Sequence, residues 1–286
     1  MDLTICLNNA VDVIEAGLSE EIDMKDVARA ACMSISQLQR IFGFVCGIPV
    51  SEYIRRRRLT LAAFDLIAGA KVLDVALKYG YGSADAFGRA FQALHGLKPS
   101  RAKLIGAKLT AYPRIAFALT LKGVISMNYR IEEKKAFTAI GVKRFFTFEN
   151  GDNFKQIPKM WEEIQKNAEL SKKLIELNDV EPAGVIGLCA DMYDNGMDYW
   201  VAVASTAARP EGLDSIDVSA CTFAVFEARG SLPGSIQDVF KRIYSEWFPS
   251  SGYEHAIAPE IEWYSDGDMN ADDYLCEAWI PVVKKP

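Results

Sequence analysis

Ser34-Ile35-Ser36-Gln37-Leu38-Gln39-Arg40-Ile41-Phe42 decides the fold of the first part of this chain. A serine before an apolar-periodic run, with glutamine three residues on, is a capping-box signature. The two side chains satisfy backbone N–H groups that a helix start leaves free. Upstream, the Ala-rich stretch Met24–Cys32 reads as a short helix with Val27 and Ala28 facing inward. Before it, Leu3, Leu7, Val11, Ile14 and Leu18 recur at three- and four-residue steps, the apolar stripe of a first helix. A short helix, a tight turn and a capped helix make a helix-turn-helix unit.

The unit is written twice. Leu38, Arg40, Phe42 and Gly47 return 49 residues later as Phe87, Arg89, Phe91 and Gly96, and Val27-Ala28 returns at an offset of 48 as Val75-Ala76. The second turn has therefore gained one residue, within Gly80-Tyr81-Gly82. A matched pair is far harder to obtain by chance than a single unit. Between the copies, Pro49–Ala68 reads as a helix with proline at its start and Gly69 after its end. About twenty residues at ~1.5 Å each give roughly 30 Å, close to the ~34 Å between successive major grooves on one face of DNA. One chain can then fill two adjacent grooves, so monomer and homodimer both stay open. Arg55-Arg56-Arg57-Arg58 point to all sides of this helix. Arg55 and Arg57 are candidates for phosphate, others for pairing with Glu52 or Asp65, and a merely solvated face is the competing reading.

Charge follows the same division. The 286 residues carry a net charge of −6, yet Arg29 to Lys108 holds 13 Lys+Arg against 4 Asp+Glu, and Ala111 onward holds 18 against 27. Only the first part is expected to meet phosphate. The six cysteines are scattered without a CxxC pair and there are only two histidines, which argues against zinc, a disulfide framework or triad chemistry. No cofactor is expected. The longest apolar runs, such as Ile115–Leu121, are too short to span a bilayer, and the start has no secretory pattern, so the expected address is cytoplasmic, with no membrane partner.

Ser34 through Phe42, Gly47-Ile48-Pro49, Tyr53-Ile54-Arg55, Tyr79-Gly80-Tyr81 through Phe87-Gly88-Arg89-Ala90-Phe91, and Gly96-Leu97-Lys98-Pro99-Ser100 resemble the AraC/XylS regulators over about residues 5–106. The resemblance implies double-stranded DNA as partner, with RNA polymerase beside it. It places base readers in the first half of each capped helix: Ser36, Gln37, Gln39 and Arg40 in the first unit, Asp85 and Arg89 in the second. Arg40 and Gln39 suit guanine and adenine edges. In the second helix Ala84, Ala86 and Gly88 offer no polar tips, so that unit is expected chiefly to hold position, Arg89 serving as base reader, phosphate contact or structural pair.

After Lys108 the pattern turns mixed. Val142–Phe146 reads as strand, Phe154–Leu174 as an amphipathic helix containing Trp161, and Ala183–Met192 and Met197–Thr206 as strands joined by Asp194-Asn195-Gly196. The order returns as strand Thr222–Ala228, helix Ser235–Phe248, strand Glu260–Ser265 and strand Tyr274–Val283. The expected fold is an all-α double helix-turn-helix domain followed by an α+β domain of two strand-helix-strand-strand repeats. The expected bounds are 1–108 and 128–286, with a connector at 109–127, and Tyr112–Arg130 pairing partly with the sheet.

Phe223-Ala224-Val225-Phe226 with Arg229-Gly230, Gly252-Tyr253-Glu254-His255, and Glu277-Ala278-Trp279-Ile280-Pro281-Val282 resemble the GyrI-like effector-binding domain over about 125–286. Joined to an AraC-type head, it is similar to the Rob-like subgroup. The resemblance implies a small-molecule effector, cationic or amphipathic and aromatic. Glu277 interrupts an apolar final strand, where an unpartnered buried carboxylate is costly. By alternation it shares a face with Leu275 and Trp279, and a superposition of the repeats puts Trp200 on that face. Glu277, Trp200, Trp279, Trp263 and Tyr253 are therefore the candidate ligand residues, against a glutamate on the solvent side of an edge strand. A GyrI-like hydrolase using Glu277 as base, or a sequestering binder, is the alternative. The duplicated basic head favours a regulator and no enzyme.

Overall fold

The computed structural model describes residues 3–104, 106–117, 126–148, 151–193 and 195–285. The chain divides into two compact units, Met1–Ala118 and Leu119–Pro286.

The first unit contains helices α1 (Leu3–Ala16), α2 (Met24–Ala30), α3 (Ile35–Cys46), α4 (Val50–Ile67), α5 (Val72–Lys78) and α6 (Ala84–His95). Both halves of the capping box form at α3: Ser34 Oγ accepts the Gln37 N–H at 3.2 Å, and Gln37 Oε1 accepts the Ser34 N–H at 3.1 Å. Glycines close α3 and α6, Gly47 at φ 69° and Gly96 at φ 74°, a left-handed turn that disfavours other residues. The duplicated corners match bond for bond. Met33 N–H bonds to the Ala28 carbonyl and Tyr81 N–H to that of Ala76, while Cys32 (φ 53°) and Gly80 (φ 80°) take the same left-handed conformation. Gly82 is the extra residue, inserted between that corner and the second cap at Ser83. Leu59, Ala62, Leu66, Val75, Ala76, Phe87 and Phe91 form a buried core around the second corner.

The Tyr112–Arg130 segment pairs partly with the sheet, as expected: Tyr129 and Arg130 lie opposite Phe226 and Val225. Tyr112, Arg114, Ile115 and Phe117 bond instead to α1 and α4 of the first unit. Residues 118–125 lie outside the described residues.

The second unit is built on β1 (Tyr129–Lys134), β2 (Phe137–Thr147), β3 (Ile186–Tyr193), β4 (Gly196–Ala204), β5 (Asp214–Val218), β6 (Cys221–Arg229), β7 (Tyr253–His255), β8 (Glu260–Tyr264) and β9 (Leu275–Lys284). The sheet order is β1-β6-β9-β8-β3-β4-β2-β5, with β7 added on β9 and every pairing antiparallel. The two repeats, β2-helix-β3-β4 and β6-helix-β8-β9, meet where β3 pairs with β8. The predicted Asp194-Asn195-Gly196 turn joins β3 to β4, with Tyr193 opposite Gly196, although Asp194 lies outside the described residues. The single helix expected from Phe154 to Leu174 is two, α7 (Asp152–Lys166) and α8 (Ala168–Leu177), broken where the Asn167 carboxamide caps α8 through the Leu170 N–H. The second helix, α9 (Gly234–Arg242), continues into a π-helical turn, Ile243–Trp247.

Alternation gives the sheet two buried faces. Ile140, Cys189, Tyr199, Val201 and Val203 pack with Met160, Ile164 and Leu174 of the helices. Ala139, Leu188, Trp200, Ala202, Val225, Ile261 and Trp279 form a separate apolar cluster on the opposite face.

Candidate DNA interface and ligand groove

The DNA candidates lie on α3, α4 and α6. On α3, Ser36 and Arg40 are buried, the Arg40 guanidinium lying 5.4 Å from the Phe44 ring centre. Gln37 spends its carbonyl oxygen on the cap. Gln39 is half-buried. On α6, Asp85 and Arg89 are both exposed. For Arg40 to reach a base edge its guanidinium must leave the Phe44 ring, whereas Arg89 needs no such movement.

The four consecutive arginines act mainly as a staple. Arg55 makes two bonds to Glu52, at 2.7 and 2.8 Å, and Arg56 bonds to the same carboxylate. Arg57 grips Glu15 of α1 with two bonds and the Tyr112 carbonyl with a third. Arg58 donates to the carbonyls of Leu18 and Glu20. Burial alone would raise the Glu15 carboxyl, but Arg57 and the Tyr53 hydroxyl outweigh it and hold the group below its ordinary range. Three of the five Arg57 N–H groups are thus spent inside the unit, and its side chain is only 11% exposed. Arg55, 39% exposed against 11% for Arg57, is paired among the described residues with Glu52 alone. Asp65 pairs with Lys78 and the Tyr79 hydroxyl instead of an arginine.

In the second unit, α7 and α8 pack chiefly on β2 and β4, and α9 on β6 and β9. β3 and β8 therefore run along the floor between the two sets of helices. β8 turns Glu260, Glu262 and Tyr264 toward this side. Glu262 Oε2 accepts hydrogen bonds from the hydroxyls of Tyr199, at 2.5 Å, and Tyr264, at 2.9 Å. Trp161 of α7 donates its indole N–H to the Tyr199 oxygen at 2.9 Å and meets the Tyr264 ring edge-on. Burial, with the Glu262 charge second, pushes both tyrosines well above their ordinary pKa. Gly187 of β3 is required here: a Cβ on it would fall 2.3 Å from the Tyr199 hydroxyl and 2.8 Å from Glu262. Further along, Glu260 Oε1 accepts from the Tyr244 hydroxyl and sits 2.9 Å from His255 Nε2.

Glu277, the glutamate expected to anchor the ligand, lies on the opposite face of the sheet. Glu277 sits on β9, an interior strand between β6 and β8, and faces away from the helices together with Trp200, Trp263 and Trp279. The shared face follows strand alternation as expected, but the carboxylate is not unpartnered. Arg130 of β1 binds it with two bonds, at 2.7 and 3.1 Å, and Trp279 donates its indole N–H at 2.8 Å. The chain's own ammonium groups cover the rings, Lys134 at 4.4 Å from Trp279 and Lys143 at 5.6 Å from Trp200. Trp263 donates to the Ala183 carbonyl, and Tyr253 stacks on Trp247 away from this cluster.

Residues 127–283 match the family model of the GyrI-like small molecule binding domain, and residues 27–103 match that of a helix-turn-helix domain. The chain belongs to the GyrI-like family. Its head is the AraC-type helix-turn-helix domain of transcription regulators. The HTH-type transcriptional activator AarP of Providencia stuartii is 38% identical over 92 residues, 32% of this chain and 68% of AarP. The right origin-binding protein of Escherichia coli (strain K12) is 34% identical over 101 residues, and the match spans only 35% of its length. A solved structure of SAV2435 bound to tetraphenylphosphonium is 25% identical, covers 55% of this chain and 94% of that one, and superposes with a TM-score of 0.50.

In this GyrI-like domain the cluster of Trp161, Tyr199, Glu262 and Tyr264 was not singled out in the sequence. The available signal was Glu260-Ile261-Glu262-Trp263-Tyr264, in which alternation puts two acids and a tyrosine on one face of a strand. Among the described residues no three His, Cys, Asp or Glu side chains are grouped to hold a metal ion, and no helix is long and apolar enough to cross a membrane.

Proposed function

We propose that this chain is a ligand-responsive, sequence-specific transcription regulator whose effector is a cationic aromatic molecule held over Glu262. The observation that carries the reading is the Glu262 carboxylate set among Tyr199, Tyr264 and Trp161 on the sheet floor between helices. Rings beside a carboxylate receive a cation both by charge and through their faces, roughly 0.5–2 kcal/mol for the latter. The tetraphenylphosphonium in the SAV2435 structure is a ligand of this class. On the DNA side, Gln39 and Arg40 read bases from α3, with Ser36 and Gln37 at its start. Arg89 of α6 and Arg55 of α4 hold phosphate, and Asp85 adds little. With α4, 18 residues and about 27 Å long, between the two helix-turn-helix corners, a monomer suffices for two adjacent grooves. Such a regulator works in the cytoplasm beside RNA polymerase.

Calorimetric titration of the full chain with tetraphenylphosphonium and with neutral triphenylphosphine oxide tests the reading. Glu262→Gln should weaken the cation about tenfold or more, roughly 1.4 kcal/mol, and leave the neutral compound unchanged. Glu277→Gln should leave both affinities in place and lower the melting temperature, because it strips Arg130 of its buried partner. Selective loss of the cation in Glu277→Gln would return the site to the opposite face.

A further inference from the structure

We propose that Phe117, held in place by Asn8, is a positioning residue for the recognition helix α3. The Asn8 side chain on α1 exchanges two hydrogen bonds with the Phe117 backbone: its Nδ2 donates to the carbonyl at 2.8 Å and its Oδ1 accepts the N–H at 2.9 Å. That exchange fixes Phe117 in the way a strand partner would. The Phe117 ring then meets Phe42 edge-on, with centres 6.1 Å apart. Phe42 is fully buried on the inner side of α3, two residues beyond Arg40, and packs on Tyr53 of α4 from its other side.

The stretch leading to Phe117 is attached throughout. Thr110 N–H donates to His95 Nδ1 at 3.2 Å, Tyr112 N–H to Thr60 Oγ1 at 3.0 Å, and Ile115 N–H to the Tyr53 hydroxyl at 3.3 Å. Arg57 holds the Tyr112 carbonyl, and Arg114 pairs with Asp12. α1, α4 and α6 thus each contribute a side chain to one irregular strap that ends on the back of α3. The attachments are mostly single polar contacts, not core burial, so the strap can be loosened without dismantling the helices. A reading helix needs its side chains placed to about 0.5 Å, and a ring wedged behind Phe42 sets that placement.

The inference rests on the DNA-binding reading of the first unit. The test uses the full chain, a duplex that the wild type selects from a random pool, and a scrambled duplex of equal length, titrated at fixed salt. Phe117→Ala and Asn8→Ala should each lower the ratio of selected to scrambled affinity about tenfold, within the range of one mis-set base contact, with scrambled affinity unchanged. Phe117→Leu, which keeps most of the volume, should recover most of the ratio. Melting curves confirm that each variant is folded at the titration temperature, and Asn8→Ala, which removes no apolar group, serves where Phe117→Ala is unstable. An unchanged ratio in both variants, or equal losses on both duplexes, overturns the proposal. A wild type that selects no sequence overturns the regulator reading as well.

Discussion

Arg57 shows what a run of four arginines can conceal. Its side chain and that of Glu15 are only 11% and 15% exposed, so the pair is structural. Arg57→Ala should lower stability by about 1–3 kcal/mol, because it leaves the half-buried Glu15 carboxylate without its cation. It should not change the salt slope of DNA binding, whereas Arg89→Ala should make that slope shallower by about 1. Chemical denaturation and binding titrations over a salt series separate the two effects. His95 gives a pH prediction. Burial, opposed only by its bond to the Leu59 carbonyl, pushes its pKa down, and its Nδ1 must stay unprotonated to accept the Thr110 N–H. An unfolded histidine takes up a proton near pH ~6.5, and the native one resists, so stability is full above that pH and falls as pH drops below it. His95→Gln should flatten this part of a melting-temperature profile, and an equally steep profile in the variant would remove His95 as its source. Alternation placed Glu277 with Trp279 and Trp200, but both faces of the central strands are buried, so polarity along the strand cannot say which face the helices cover. Arg130, 147 positions away, was invisible as its partner.

Elements were legible where local chemistry sets them. Ser34, Gly47, Val27-Ala28 and their repeats located both helix-turn-helix corners, since caps and left-handed turns depend on nearby residues alone. Ser34→Ala should cost about 1 kcal/mol by removing the cap, readable as a lower denaturation midpoint. The strands not foreseen are β5, β7 and the part of β1 beyond Arg130. β1 and β5 are the outer strands of the sheet, Tyr-Arg-Ile-Glu-Glu-Lys and Asp-Ser-Ile-Asp-Val, polar and largely exposed, with only two apolar residues apiece to mark them. β7 has three residues. Where two elements meet, Gly187 makes the sharpest prediction. Gly187→Ala drives a methyl group into the Tyr199 hydroxyl and Glu262, so it should destabilise by about 1–3 kcal/mol and weaken tetraphenylphosphonium more than the neutral comparator. Wild-type stability with wild-type affinity in that variant would show that the Tyr199–Glu262 bond does not shape the groove.

At the scale of the whole molecule, the charge division matches the division of roles: a basic helix-turn-helix head and an acidic GyrI-like domain. The duplicated pattern in each part was readable because repeats amplify a weak signal, while the strap from Thr110 to Phe117 was not, since its bonds are scattered over three helices far away in sequence. A ligand-responsive regulator requires that effector occupancy change DNA binding. The affinity of the full chain for the duplex it selects, with and without saturating tetraphenylphosphonium, tests it most directly, in wild type and in Glu262→Gln at ligand levels that saturate only the former. A change of about fivefold or more in the wild type, absent from Glu262→Gln, is the expected result, the lower end of ordinary coupling between sites. A wild-type DNA affinity that stays constant while calorimetry shows the ligand bound would contradict the account.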